Sequence, residues 1–171
     1  MDSFFRSLAY LALAACAAAA PSARSEVRLK ATLAAQPSYR IGGPVRLAFT
    51  LENLSAEPVW VLVWYTPLEG IKGDIFRVSR DGTALRYQGP MVKRGDPSVD
   101  AYRRVEPGKP LTAEVDLARA YDLSAPGVYR VELTGPLRDV AQQGEAVPCK
   151  RDEQRPLEVQ GSAATFRMVP P

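Results

Sequence analysis

The 171 residues contain no histidine. That absence removes the side chain that titrates nearest neutral pH and the commonest metal-binding imidazole. A His-Glu-x-x-His zinc helix is excluded outright, because it needs two imidazoles one helical turn apart on one metal and a Glu between them to activate water. A Ser or Cys nucleophile would have to use a lysine base, and no Ser-x-x-Lys motif follows residue 25. Copper handling in small exported sandwiches usually employs His and Met clusters, whereas Met91 and Met168 stand apart in this chain. No cofactor is expected.

Cysteine is nearly as scarce, with Cys16 and Cys149 only. Long apolar runs are confined to the N-terminus. Residues 1–25 read as an export signal: Arg6 supplies a positive start, Leu8 to Ala20 a short Leu/Ala core, and small residues follow. The core is too short for a retained membrane anchor. Ala23 and Ser25 fit small-x-small cleavage before Glu26, while Leu13-Ala14-Ala15-Cys16 resembles a lipobox that would leave Cys16 lipidated. Both routes stay open, and either predicts an exported protein, periplasmic or secreted, that meets a membrane only through a lipid anchor. An intramolecular disulfide is not expected by either route; Cys149 would be free or pair between chains.

Removing Arg6, Arg24 and Asp2 with the leader leaves 20 basic and 18 acidic residues, a net charge of +2. The charges alternate in sign along the chain, so there is no clustered basic face and nucleic acid is not an expected partner. Residues 26–171 suit a single domain with a real core.

Short β-rich runs separated by Pro and Gly recur: Val27–Leu33, Val45–Glu52, Val59–Thr66, Ile75–Ser79, Leu85–Gln88, Leu111–Leu117, Val128–Thr134 and Ala163–Val169. About eight strands without a helical period predict an all-β, immunoglobulin-like antiparallel sandwich of 7–8 strands. Leu47, Phe49 and Leu51 alternate with Arg46, Ala48, Thr50 and Glu52, one face for the core and one for water. Asp81-Gly82 predicts a tight hairpin, since positive φ is cheap for both residues. Tyr129, entering a late strand after Ala125-Pro126-Gly127, is the candidate for a corner tyrosine that hydrogen-bonds back to the backbone. Asp116 is placed to cap a helical turn within Leu117–Leu123. Trp60, Leu62 and Trp64 share one strand face and are expected in the core, where Trp60→Ala would cost about 3–5 kcal/mol; sugar stacking is the less natural reading because it needs exposed rings. Residues 136–156 are polar, mixed in charge and bounded by prolines, which predicts a long exposed loop.

Five islands carry a resemblance: Glu57-Pro58-Val59-Trp60-Val61-Leu62, Thr66-Pro67-Leu68-Glu69-Gly70, Asp74-Ile75-Phe76-Arg77-Val78, Tyr87-Gln88-Gly89-Pro90-Met91-Val92-Lys93-Arg94, and Val115-Asp116-Leu117 with Ala120-Tyr121-Asp122-Leu123. In this order they resemble the N-terminal accessory domain of secreted bacterial zinc endopeptidases of the deuterolysin (aspzincin) family. The resemblance spans roughly residues 26–134, with 163–169 a weaker match. In that family the region precedes the protease domain and looks like a pro-domain that assists folding or holds the protease inactive. The resemblance therefore implies a non-catalytic protein that acts by contact, as a detached pro-domain inhibiting, chaperoning or tethering a deuterolysin-like metalloprotease. An envelope adhesion or scaffolding module, lipid-anchored through Cys16, is the alternative; a sandwich fold alone does not choose between them.

The expected contact surface comprises two loops, Thr66–Asp74 and Gln88–Asp96, which the Asp81-Gly82 hairpin would place at one end. Its candidate residues are Pro67, Leu68, Glu69, Gly70, Gly89, Pro90, Met91, Lys93 and Arg94. Because the similar proteases prefer lysine beside the scissile bond, Lys93-Arg94 could act as a pseudo-substrate; the plainer reading is a solvated basic pair. Pro90 and Pro97 would stiffen that loop. Glu69, Asp74 and Asp81 lack the spacing of a dedicated calcium loop and read more simply as caps and turn residues.

Overall fold

The computed structural model describes residues 26–148 and 150–171; the leader, Cys16 and Cys149 lie outside the described residues. Twelve strands follow in order: β1 Leu29–Ala35, β2 Ser38–Arg40, β3 Arg46–Asn53, β4 Val59–Leu62, β5 Phe76–Arg80, β6 Thr83–Ala84, β7 Tyr102–Val105, β8 Leu111–Asp116, β9 Gly127–Leu133, β10 Val140–Gln142, β11 Gln160–Gly161 and β12 Ala164–Val169. They form a β11-β1-β3-β8 sheet, a β2-β12-β9-β5-β6 sheet and a small β10-β4-β7 sheet. The fold is an all-β sandwich. Its long pairings are antiparallel, and two short edge pairings, β11 on β1 and β2 on β12, run parallel. Among the described residues no helix is long and apolar enough to cross a membrane.

The core follows the predicted alternation. Leu47, Phe49 and Leu51 of β3 are fully enclosed and meet Val131, Phe166 and Met168 of the facing sheet in one cluster. Tyr129 stacks on Phe166 with centroids 5.4 Å apart, and its hydroxyl donates to the Ala125 carbonyl at 2.8 Å, so the corner tyrosine is buried without losing its hydrogen bond. The hairpin is also as expected: Arg80 pairs with Thr83, and φ is 48° at Asp81 and 85° at Gly82. The Asp81 carboxylate then accepts the Val128 N–H at 2.9 Å, fastening the hairpin tip to β9. Asp116 caps the 3-10 turn Leu117–Arg119 through the Ala118 N–H, 3.1 Å, and takes the Val45 N–H at 2.9 Å with the same oxygen.

Three expectations change. The run Val59–Thr66 is a strand only to Leu62, because Tyr65 takes φ 59° and turns the chain. Residues 85–88 form no strand: after Leu85, whose N–H still reaches the Val78 carbonyl at 2.8 Å, the chain leaves β5, and Gln88 donates instead to the Ala120 carbonyl at 2.8 Å. Residues 136–156, expected as an open loop, contain β10, which pairs with β4, and a 3-10 turn at Arg151–Glu153. A bridge between Leu137 and Leu157 closes the base of this excursion. Just above it Asp139, fully buried, accepts from Tyr102 Oη at 2.6 Å, from the Arg155 N–H at 2.9 Å and from Arg155 Nε at 3.0 Å. A buried carboxylate is tolerable only with such compensation.

The tryptophans are a further correction. Val59 and Val61 of β4 point into the main core, so Trp60 and Leu62 point the other way. Trp60 and Trp64 are half-buried around a second, smaller cluster of Leu62, Ala101 and Tyr102. Arginines cover them: Arg104 lies 5.4 Å from the Trp60 centroid and Arg94 4.8 Å from that of Trp64.

Candidate functional site

The segment after β4 builds one wall. Thr66 caps the 3-10 turn Pro67–Glu69, its Oγ1 accepting the Leu68 N–H at 3.2 Å and donating to the Val63 carbonyl at 2.6 Å. Pro67 occupies the first position of the turn, where a missing N–H costs nothing. Gly70, at φ 81°, ends it with its N–H on the Pro67 carbonyl at 3.0 Å. Pro67 is buried; Leu68, Glu69 and Gly70 are half-buried.

The second loop folds onto the first. Tyr87 Oη donates to the Pro90 carbonyl at 2.6 Å, and Gly89 fits beneath that contact, where a Cβ would stand 2.6 Å from the same oxygen. Val92 donates to the Lys72 carbonyl at 3.1 Å. Arg94 Nη2 pairs with Glu69 Oε2, and Glu69 Oε1 takes the Tyr65 N–H at 2.9 Å. Thr66–Asp74 and Gln88–Asp96 thus form one continuous surface. Between them and β8 lies a hollow of about 350 Å³ lined by Ile71, Lys72, Pro90, Glu114, Asp116 and Arg119.

The basic pair at its edge is divided in role. The Arg94 side chain is only 18% exposed, held between Trp64 and Glu69, so it is a structural tie and not a solvated charge. Lys93 is exposed, next to Met91 at 74% and Val92 at 39% exposure. Pro90 is exposed and Pro97 buried, the latter anchoring the loop's far end.

The remaining carboxylates work separately. Glu69 ties the two loops, Asp81 fastens the hairpin, and Asp74 accepts from Tyr121 Oη at 2.9 Å. Tyr121 Oη also lies 2.8 Å from the Phe76 carbonyl. Burial, and then the hydrogen bond to Asp74, push the Tyr121 hydroxyl well above the usual phenol range. Tyr87, edge-on to the Tyr121 ring at 5.6 Å, is raised by burial and by the Asp74 charge. Met168 is buried in the core, far in role from exposed Met91.

The sequence did not point to a second hollow, about 460 Å³, beside this surface. Leu62, Trp64 and Tyr65 lie against Arg94, Arg138 and Arg151 there. Arg138 lies 4.8 Å from the Tyr65 centroid, and Arg151 Nη2 donates to the Arg94 carbonyl at 2.5 Å. Both arginines belong to the excursion expected as an open loop, and only its folding back brings them here.

No protein-family model matches the chain. Over 107 residues it is 36% identical to an extracellular protease of Aeromonas hydrophila; the match covers 63% of this chain and 30% of that protein. Among solved structures, the CARDB domain of a Pyrococcus furiosus protein aligns at 12% identity and a TM-score of 0.36, covering 86% of this chain and 97% of that one. A cohesin module from a Clostridium perfringens family 33 glycoside hydrolase aligns at 8% identity and a TM-score of 0.37, over 85% of this chain and all of that module.

Proposed function

We propose that this is an exported, non-catalytic β-sandwich that binds a zinc endopeptidase of the deuterolysin type, as a pro-domain does, through the surface made by Thr66–Asp74 and Gln88–Asp96. The observation that carries the proposal is the fastening of these two loops by Glu69–Arg94 and Val92–Lys72 into a preformed platform with Met91, Val92 and Lys93 exposed at its edge. A platform that is rigid before binding loses little entropy on contact. The similarity over 107 residues to an extracellular protease supports the export. A chain without histidine supports a role in contact and not in hydrolysis. Within this reading Lys93 enters the partner's substrate cleft, and Arg94 holds the loop that presents it.

The purified chain, immobilised and exposed to secreted and envelope fractions of its own organism, is expected to retain a zinc endopeptidase, identified by mass spectrometry. Recovery of envelope components alone would transfer the protein to the adhesion or scaffolding class. Titration against the recovered protease then separates the modes of action: activity that stays flat at large excess rules out inhibition and leaves chaperoning or tethering.

A further inference from the structure

The hollow beside Trp64 and Tyr65 holds two cationic groups that, among the described residues, no carboxylate neutralises. Arg94 is already committed, lying over Trp64 and paired with Glu69. Arg138 rests on the Tyr65 ring, and Arg151 is held by the Arg94 carbonyl through Nη2, while its own N–H donates to Asp96 Oδ1 at 3.1 Å. Among the described residues, neither the Arg138 nor the Arg151 guanidinium has a carboxylate within ion-pairing distance. Each is oriented by its support and keeps donors free. A guanidinium fixed in this way matches a carboxylate with two parallel hydrogen bonds and spends little entropy in doing so. The floor of Leu62, Trp64 and Tyr65 offers apolar surface below the charges. Tyr65 is turned into that floor by a backbone at φ 59°, a conformation that costs a bulky residue and is retained under the Glu69 hydrogen bond.

We propose that this hollow binds an acidic stretch of a partner polypeptide, with one carboxylate on Arg138, a second on Arg151, and the side-chain methylenes laid over the aromatic floor. The proposal rests on the protein-contact reading above and names the chemistry by which the partner would be recognised. A glutamate has the required form, a charged head on an apolar stem. A long polyanion does not fit as well: Asp96 holds the Arg151 N–H, and Asp152 and Glu153 follow Arg151 in its 3-10 turn, so a chain charged at every unit would leave the two arginines and meet carboxylates. The near balance of charge over residues 26–171 offers no extended basic track.

The test titrates the purified chain with a ten-residue peptide carrying four glutamates, and with its glutamine counterpart, following heat and the fluorescence of Trp60 and Trp64. The glutamate peptide is expected to bind saturably and more weakly as salt rises, and the glutamine peptide not to bind. Arg138→Gln and Arg151→Gln should each weaken binding by about tenfold, the loss of one charge-assisted contact, with circular dichroism unchanged because both side chains are exposed. Arg104→Gln, on the Trp60 side, should leave affinity as it was. Equal binding of the two peptides, or affinity indifferent to both arginine substitutions, would overturn the assignment. So would a sulfated polysaccharide that outcompetes the glutamate peptide, since that outcome would make the hollow a polyanion site. If an endopeptidase is captured by the chain while the glutamate peptide fails to bind, the hollow is wrong and the protease reading stands. If the peptide binds and no endopeptidase is captured, the hollow stands and the choice of protease falls.

Discussion

The two faces of β4 divide the molecule. Val59 and Val61 look inward to a closed core whose aromatic members, Tyr129, Phe166 and Phe49, are sealed from water. Trp60 and Leu62 look outward to a small cluster roofed by arginines. The inner face is held by packing, where every lost atom leaves a void. The outer face is held by guanidiniums over rings, contacts that are individually weak and that leave donors facing solvent. One strand of four residues thus closes a sealed core on one side and an arginine-covered cluster on the other.

The largest effect should come from the inner face. Phe166→Ala is expected to cost about 3–5 kcal/mol in denaturant unfolding, since the Tyr129 and Tyr39 rings both pack on it. Next comes the tie between the two loops: Arg94→Ala leaves Glu69, 12% exposed, without its counter-charge and should cost about 1–3 kcal/mol, while Lys93→Ala should stay within about 0.5 kcal/mol. Equal losses for the two would mean that the pair is not divided in role. Trp60→Ala should cost only about 1.5 kcal/mol, less than its size suggests, because the ring is half-buried under Arg104. A loss as large as that of Phe166→Ala would erase the distinction between the faces.

The remaining effect is visible only in alkali. Tyr121 has its hydroxyl pKa raised in the folded protein, so its contribution is fully present below the unfolded value near 10.0 and is lost as pH climbs above it. Stability should fall there by at most about 1.4 kcal/mol per pH unit from this group, and Tyr121→Phe should flatten that part of the curve. A slope unchanged in the variant would assign it to Tyr87 or to other groups.

The sequence made the inner face legible and left the outer one dark, for a physical reason. Alternation over eight residues declares β3, Asp81-Gly82 declares a turn, and Tyr129 beside Pro126-Gly127 declares a corner, because each is a local pattern. The meeting of the two loops could be reasoned from the hairpin, although the commitment of Arg94 to Trp64 could not. Strands β2, β7, β10 and β11 have two to four residues each, too few for a period to show. The burial of Asp139 depends on Tyr102 and Arg155, and the second hollow depends on Arg138 and Arg151 folding back over Trp64 and Tyr65. Nothing within a short window announces a partner tens of residues away. The tryptophans were misplaced by the same limit: their spacing fixes a shared face but not which face is inside.

The clasp at Leu137 and Leu157, with Asp139 and Arg155 above it, has a consequence for the second hollow. Chain length inside such a closed base can change for roughly 0.6 kcal/mol per doubling, and neither β9 nor β12 need shift register. Arg138 stands beside the clasp and would stay where it is, whereas Arg151 lies inside and would be carried off by an insertion. The clasp thus separates the two supports of the second hollow: one is fixed by the sandwich itself, and the other depends on the length of the chain between β10 and Leu157.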